Sequence, residues 1–64
     1  MDQLEVLRDK WPTGTKVHKP GFGYQGEVQR VERKHRTNWV IVHWHGRPYT
    51  SREYPTSLAK IEVT

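Results

Sequence analysis

The chain of 64 residues contains no cysteine, which excludes a disulfide framework and a thiolate metal site. It also has no apolar run close to the roughly 18 residues that span a bilayer. The N-terminus lacks the charged and then apolar order of a secretory signal. So short a chain has room for one domain only. These absences predict a soluble, cytoplasmic, single-domain protein with no membrane partner.

Patterns of catalytic residues are missing as well. We find no arranged pair of carboxylates, and no nucleophile stands next to a base. His43 and His45 have the spacing of a metal pair on one strand face, but further ligands would have to come from the distant His18 or His35. We therefore predict a protein that is not an enzyme and has no catalytic residues, no metal and no cofactor.

The charge that is present is unevenly placed. Eleven Lys and Arg residues against seven Asp and Glu residues give a net charge of +4. The basic excess lies in residues 16–53, which hold eight basic and three acidic residues. Such a field favours phosphate-bearing or acidic partners. The alternative is ordinary solubilising charge.

The N-terminal segment has the pattern of a short helix, over Met1–Lys10. Asp2 is placed to cap it, and Leu4, Leu7 and Trp11 recur on one side as an apolar stripe. Ten residues are marginal for an isolated helix. We therefore expect residues 1–13, the helix and its turn, to dock on the remainder of the chain.

Residues 14–64 have the pattern of short strands separated by turns. The apolar spacing of Val28 and Val31 breaks strict alternation and predicts a β-bulge between them. Five short strands with tight loops favour a small all-β barrel. The predicted strands are Thr15–His18, Glu27–Glu32, Trp39–Trp44, Tyr49–Glu53 and Leu58–Val63, with a 3₁₀ turn at Tyr54–Ser57 before the last.

Four short motifs in this region carry a resemblance: Gly14-x-Lys16-Val17, Gly26-Glu27-Val28, Val42-x-Trp44-x-Gly46 and Tyr54-Pro55-x-x-Leu58-x-x-Ile61. Together they resemble the SH3-like barrels of the KOW, Tudor and chromo-barrel kind. The resemblance implies a five-stranded SH3-like barrel over residues 14–61. It also implies binding of DNA, RNA, histone tails or other proteins.

The chain is also similar to the type II dihydrofolate reductase family, whose active site lies in the central pore of a tetramer. The similarity runs from Val17-His18-Lys19 to Tyr24-Gln25-Gly26-Glu27-Val28, and Lys19 stands where that family has a folate-attracting lysine. The family's Val-Gln-Ile-Tyr pore segment reads Ser51-Arg52-Glu53-Tyr54 here, so only Tyr54 is kept. The resemblance therefore implies a shared fold.

Both sets of alternating side chains in the strand Trp39–Trp44 are largely apolar, so one set must be assigned to the core and the other to the opposite face. We place Val42 and Trp44 in the core, and Trp39, Ile41 and His43 then form an exposed stripe on the other face. This stripe can stack on bases, form a subunit interface, or be covered by the N-terminal helix. The expected partners of Val42 and Trp44 in the core are Val17, Val28, Leu58 and Ile61.

The second part of the candidate site is cationic. A hairpin tip holding several cations at one end of the barrel can reach successive phosphates. The candidate nucleic-acid-binding residues are Arg30, Arg33, Lys34, Arg36, Trp39, His43, Arg47 and Arg52.

These residues predict a small module that binds nucleic acid with little sequence preference, or an adaptor that docks on a protein of a nucleic-acid machine. The alternative is a module that interacts with proteins or forms a homo-oligomer, without nucleic-acid contact. A third interpretation is a divergent reductase of the pore type. An aromatic cage for methylated lysine, built from Phe22, Tyr24, Tyr49 and Tyr54, is disfavoured by the basic field.

Overall fold

The computed structural model describes residues 3–61, which form one antiparallel sheet and a short N-terminal helix. A 3₁₀ turn, Pro55–Ser57, joins the last two strands. The mostly β architecture with an N-terminal helix is thus confirmed. The elements are α1 (Gln3–Lys10), β1 (Lys16–His18), β2 (Gln25–Lys34), β3 (Thr37–Trp44), β4 (Thr50–Glu53) and β5 (Ala59–Lys60).

The five strands lie in the order β4-β3-β2-β1-β5. Within residues 3–61, β4 and β5 occupy opposite edges of the sheet, and so the expected closed barrel is not formed. The physical reason is the shortness of the last strand, which pairs only Lys60 with Val17 and Ala59 with His18. The predicted extension of this strand to Val63, like the predicted Asp2 cap, lies outside the described residues.

The predicted bulge is present in β2. Val28 pairs with Val42 and Arg30 pairs with Ile41, so that Gln29 is the extra residue of β2. Because of this insertion, Val28 and Val31 both point to the same face of the sheet. The strand is longer than predicted at both ends, since it begins at Gln25 and ends at Lys34.

The core lies on the face of the sheet that α1 covers, called here the inner face. Leu4 and Leu7 of α1 pack against the buried cluster, and Trp11 belongs to it. The interpretation in which the helix covers the stripe of Trp39, Ile41 and His43 is therefore wrong. The buried cluster contains Trp11, Val17, Val28, Val31, Val40, Val42, Trp44 and Leu58.

The core assignment of Val42 and Trp44 is confirmed, and so is that of Val17, Val28 and Leu58. Ile61 is only half-buried. Among residues 3–61, no helix has the length and apolar character needed to cross a membrane.

Gly26 of β2 pairs with Trp44 of β3 at a point where there is no room for a side chain. A Cβ atom added there would stand 2.6 Å from the His43 carbonyl oxygen and 2.9 Å from Val42 Cγ1. Since the nearest atom belongs to the backbone, the two strands would have to separate.

We expect Gly26→Ala to lower the free energy of unfolding by about 1–3 kcal/mol, because overpacking forces the backbone to shift. Gly23→Ala is the matched control, since a Cβ at Gly23 has nothing within 4 Å. Urea denaturation of both variants checks this expectation. Equal stability of the two would show that the close approach at Gly26 is absent in solution.

Candidate functional site

The face of the sheet opposite α1, called here the outer face, carries two rows of side chains across β2, β3 and β4. Paired residues share a face of a sheet, and Ile41 pairs with Arg30 on one side and with Arg52 on the other. The adjacent row contains Glu32 paired with Trp39. Cations and an aromatic ring are therefore neighbours on this face.

Glu32 connects the two arginines of the first row. Its Oε2 lies 3.6 Å from Arg30 Nε, and its Oε1 lies 3.5 Å from Arg52 Nε. Ile41, which stands between the two arginines, is only 2% exposed. The prediction that Ile41 is exposed is wrong, because long arginine side chains lay their methylene groups over neighbouring apolar surface.

Trp39 points to the outer face, as strand alternation predicted, but its ring is not fully exposed. It packs against the Tyr54 ring with a centroid distance of 4.6 Å and an interplanar angle of 34°. Its indole Nε1 donates a hydrogen bond of 3.4 Å to the Lys34 carbonyl oxygen. The side chain is half-buried, and the pair offers an aromatic surface beside the arginines.

The basic hairpin tip is tighter than the sequence indicated. Lys34 pairs with Thr37, so the turn consists of His35 and Arg36, with φ angles of 52° and 63°. These left-handed conformations are those of a type I′ turn, which normally takes Asn-Gly. Arg33 falls on the inner face, because it is two residues beyond the core residue Val31, whereas Lys34 falls on the outer face.

Two further candidates lie toward the other end of β3. His43 is on the outer face and half-buried, and its Nε2 lies 2.8 Å from the Arg47 carbonyl oxygen. The Arg47 guanidinium is placed over the Tyr24 ring, 5.8 Å from its centroid. His43 therefore holds the β3–β4 connection, and Arg47 belongs to a different surface.

Lys16 and Glu27 form an ion pair at the β1 side of the outer face. The hydrogen bond from Lys16 lowers the pKa of the Glu27 carboxyl below its usual 4.5, and the charge of Lys16 acts in the same direction. A carboxyl group whose pKa is lowered by folding stabilises the folded protein at pH values above its pKa in the unfolded chain. This stabilisation is lost as the pH falls through the pKa of the folded state. Both side chains are exposed to solvent, so this contribution is screened.

An aromatic cleft of about 230 Å³ opens beside Trp44. The rings of Phe22 and Tyr24 stack at 5.9 Å, and the Tyr24 ring lies 6.1 Å from that of Trp44. The Lys19 ammonium is 5.2 Å from the Phe22 ring centroid. The cleft is lined by Lys19, Tyr24, Trp44, Arg47, Tyr49, Ser51 and Glu53.

A chain of polar contacts runs along the floor of the aromatic cleft. Trp44 Nε1 donates to Ser51 Oγ at 2.6 Å, and Ser51 Oγ donates to Glu53 Oε1 at 3.3 Å. Lys19 Nζ donates to Glu53 Oε2 at 3.4 Å. The Glu53 side chain is only 14% exposed. One largely buried carboxylate is thus oriented by two donors.

The eight predicted site residues lie in three places. Arg30, Arg52, Trp39 and Lys34 are on the outer face, where His43 also stands, further along β3. Arg36 and Arg33 lie at the hairpin end, the latter on the inner face. Arg47 is in the aromatic cleft. The four rings of the disfavoured aromatic cage are divided too, because Tyr54 packs on Trp39 while Tyr24 and Tyr49 line the cleft.

Sequence reasoning did not assign Ser51 and Glu53 to a site. Strand alternation puts Ser51 and Glu53 on one face of β4, but only the pairing of Ser51 with Val42 in the structure shows that this is the face of Trp44. Comparison with known proteins adds no assignment: we find no significant match to a family model, to a curated protein or to a solved structure.

The strained hairpin turn leads to a prediction that separates conformation from charge. The double change His35→Asn with Arg36→Gly should stabilise the protein by about 1 kcal/mol, because both new residues adopt left-handed conformations readily. That gain corresponds to a rise in Tm of about 4–8 °C for a domain of this size. Arg36→Ala is the control, since it removes the charge and keeps the strain. An equal gain in both variants would assign the effect to charge repulsion.

Proposed function

We propose that this protein is a small basic module that binds nucleic acid through its outer face, without catalysing a reaction. The observation that supports the proposal most directly is the pair Arg30 and Arg52, held on either side of the buried Ile41 by Glu32. Two guanidinium groups held in register on a sheet present several N–H donors to successive phosphates.

The surroundings of the two arginines support the same ligand. Lys34 adds a cation on the outer face, and Arg36 adds one at the hairpin end. The ring pair of Trp39 and Tyr54 stands in the next row, where a base leaving the phosphate track can stack. The arrangement favours backbone contacts with stacking, and therefore low sequence preference.

We also propose that the fold is SH3-like. Five short strands in the order β4-β3-β2-β1-β5, with a 3₁₀ turn between β4 and β5, support this assignment. A bent β2 that pairs with both β1 and β3 supports this assignment. In this proposal the molecule works as a binding module or as an adaptor in a nucleic-acid machine.

The charge of the first row is tested by replacing Arg30 and Arg52 with Gln. We expect binding to single-stranded DNA to weaken on all sequences alike. The plot of log K against log salt should become shallower by about 1.4 units, because two phosphate contacts with a single strand are lost. Lys10→Gln, a change at an exposed residue of α1, is the control and should leave both quantities nearly unchanged. Unaltered binding of the double variant would exclude the outer face as the nucleic-acid-binding surface.

Glu32 yields a prediction of opposite sign. Its carboxylate competes with phosphate for both arginines, so Glu32→Gln should tighten binding about two- to fivefold, which corresponds to about 0.4–1 kcal/mol, the weak stabilisation typical of exposed ion pairs. The measurement is the same titration at fixed salt. Weaker binding by this variant would mean that Glu32 positions the arginines and does not compete for them.

The stacking role of Trp39 has its own test. Trp39→Ala should weaken single-strand binding by about 1–3 kcal/mol, the usual value of one stacked base. Trp39→Phe keeps a ring against Tyr54 and should retain most of the affinity. Thermal unfolding of both variants distinguishes this result from loss of structure. Full affinity of a folded Trp39→Ala variant would remove the ring from the interface.

A further inference from the structure

The aromatic cleft contains more exposed ring surface than a small soluble domain needs for its core. Tyr24 is 44% exposed, Tyr49 is 57% exposed and Phe22, stacked on Tyr24, is 58% exposed. Exposed rings grouped around a concave site indicate a binding surface. The outer face does not use these residues, because the cleft is formed on the side to which Trp44 points.

We propose that the aromatic cleft binds a single unpaired nucleotide, with its base on the tyrosines, the donor edge of the base on Glu53, and its phosphate on Arg47. The inference rests on the proposed function in one respect only, namely that nucleic acid is the ligand. It goes beyond it by adding a second site and a preference among bases.

The size and charge of the cleft select this ligand. Its volume of about 230 Å³ is below the roughly 300–1,000 Å³ of sites for drug-sized molecules, so it suits one flat ring system. Lys19 and Arg47 bring two positive charges against the single carboxylate of Glu53, which favours an anionic ligand. A methylated lysine is disfavoured because both cations would repel it.

The orientation of Glu53 predicts which bases are preferred. A carboxylate accepts hydrogen bonds and has about four lone-pair sites, of which Ser51 and Lys19 take two. Guanine presents an imino and an amino donor side by side, and these two donors match the remaining lone-pair sites of the Glu53 carboxylate. Thymine presents one imino donor between two carbonyl oxygens, which the carboxylate repels. Guanine should therefore bind best and thymine worst.

Tyr49 and Arg47 complete the site from the β3–β4 connection. The Arg47 guanidinium already stands over the Tyr24 ring, at the rim of the cleft, where the phosphate of a stacked nucleotide would lie. Arginine recognises phosphate through paired N–H donors. Tyr49 lines the same cleft and offers a second ring surface to the base.

The experiment compares two single-stranded DNA heptamers, one of thymine only and one with a central guanine, at the same salt concentration. We expect the guanine to tighten binding about fivefold or more, within the range of a stacked and hydrogen-bonded base. Glu53→Gln should abolish the difference between the heptamers. Glu5→Gln, which removes an exposed carboxylate of α1, is the control and should leave the ratio unchanged. Tyr49→Ala should abolish the difference as well.

Thermal unfolding of each variant and an NMR titration with dGMP make the outcome decisive. Shifts of the Tyr49, Ser51 and Glu53 amides would support the site even if one variant did not fold. Equal affinity of the two heptamers for the unaltered protein would overturn the inference. So would an oligoproline peptide that shifts these amides when dGMP does not, because the cleft would then be a peptide groove.

The same data separate this inference from the proposed function. If Arg30 and Arg52 are needed for the thymine heptamer and guanine has no effect, the cleft inference fails and the outer face stands. If the guanine effect depends on Glu53 and the arginine variant binds normally, the outer face fails and the cleft stands.

Discussion

The extra residue Gln29 in β2 fixes which side chains reach each face of the sheet. If Gln29 instead followed the regular alternation of the strand, with no bulge, Arg30 would fall on the core face, because a shift of one residue reverses every side chain beyond it. The bulge is held by the segment before β1. Gly14 N donates to the Val28 carbonyl at 2.8 Å, and Thr13 Oγ1 donates to the Gln29 carbonyl at 2.9 Å. The carbonyl group of the extra residue Gln29 therefore has a hydrogen-bond donor. The same contacts attach the segment that follows α1 to the sheet.

The outer face and the aromatic cleft use the same electrostatic device on opposite sides of β3 and β4. On the outer face, Glu32 holds two arginines in place. In the cleft, Glu53 is held by Ser51 and Lys19. The difference is burial, since the Glu53 side chain is 14% exposed and that of Glu32 is 31% exposed. The more buried Glu53 carboxylate is suited to recognise a ligand group. The more exposed Glu32 carboxylate can release its two arginines to a competing phosphate.

Sequence reasoning predicted local features well because their causes are local. The spacing of Val28 and Val31 predicted the bulge, and the parity of β3 placed Trp44 inside and Trp39 on the opposite face. It failed for Ile41, whose burial depends on arginines from two other strands. It also could not find the cleft, because Lys19 and Glu53 meet across 34 residues of chain. Sequence reasoning also missed the two-residue turn at the hairpin tip, since His35 and Arg36 are not the Asn-Gly pair that normally forms such a turn.

The order of the strands has a consequence for how the molecule folds. β2, β3 and β4 are successive neighbours joined by short connections, so closing each loop costs little chain entropy. The pairing of Val17 with Lys60 brings together residues separated by about forty positions and costs more. Since β1 is also joined to β2 by a short connection, the local part of the sheet is the meander of β1 to β4. The strand β5, whose Lys60 side chain reaches the Trp11 ring, would be the last part to pair and the first to open.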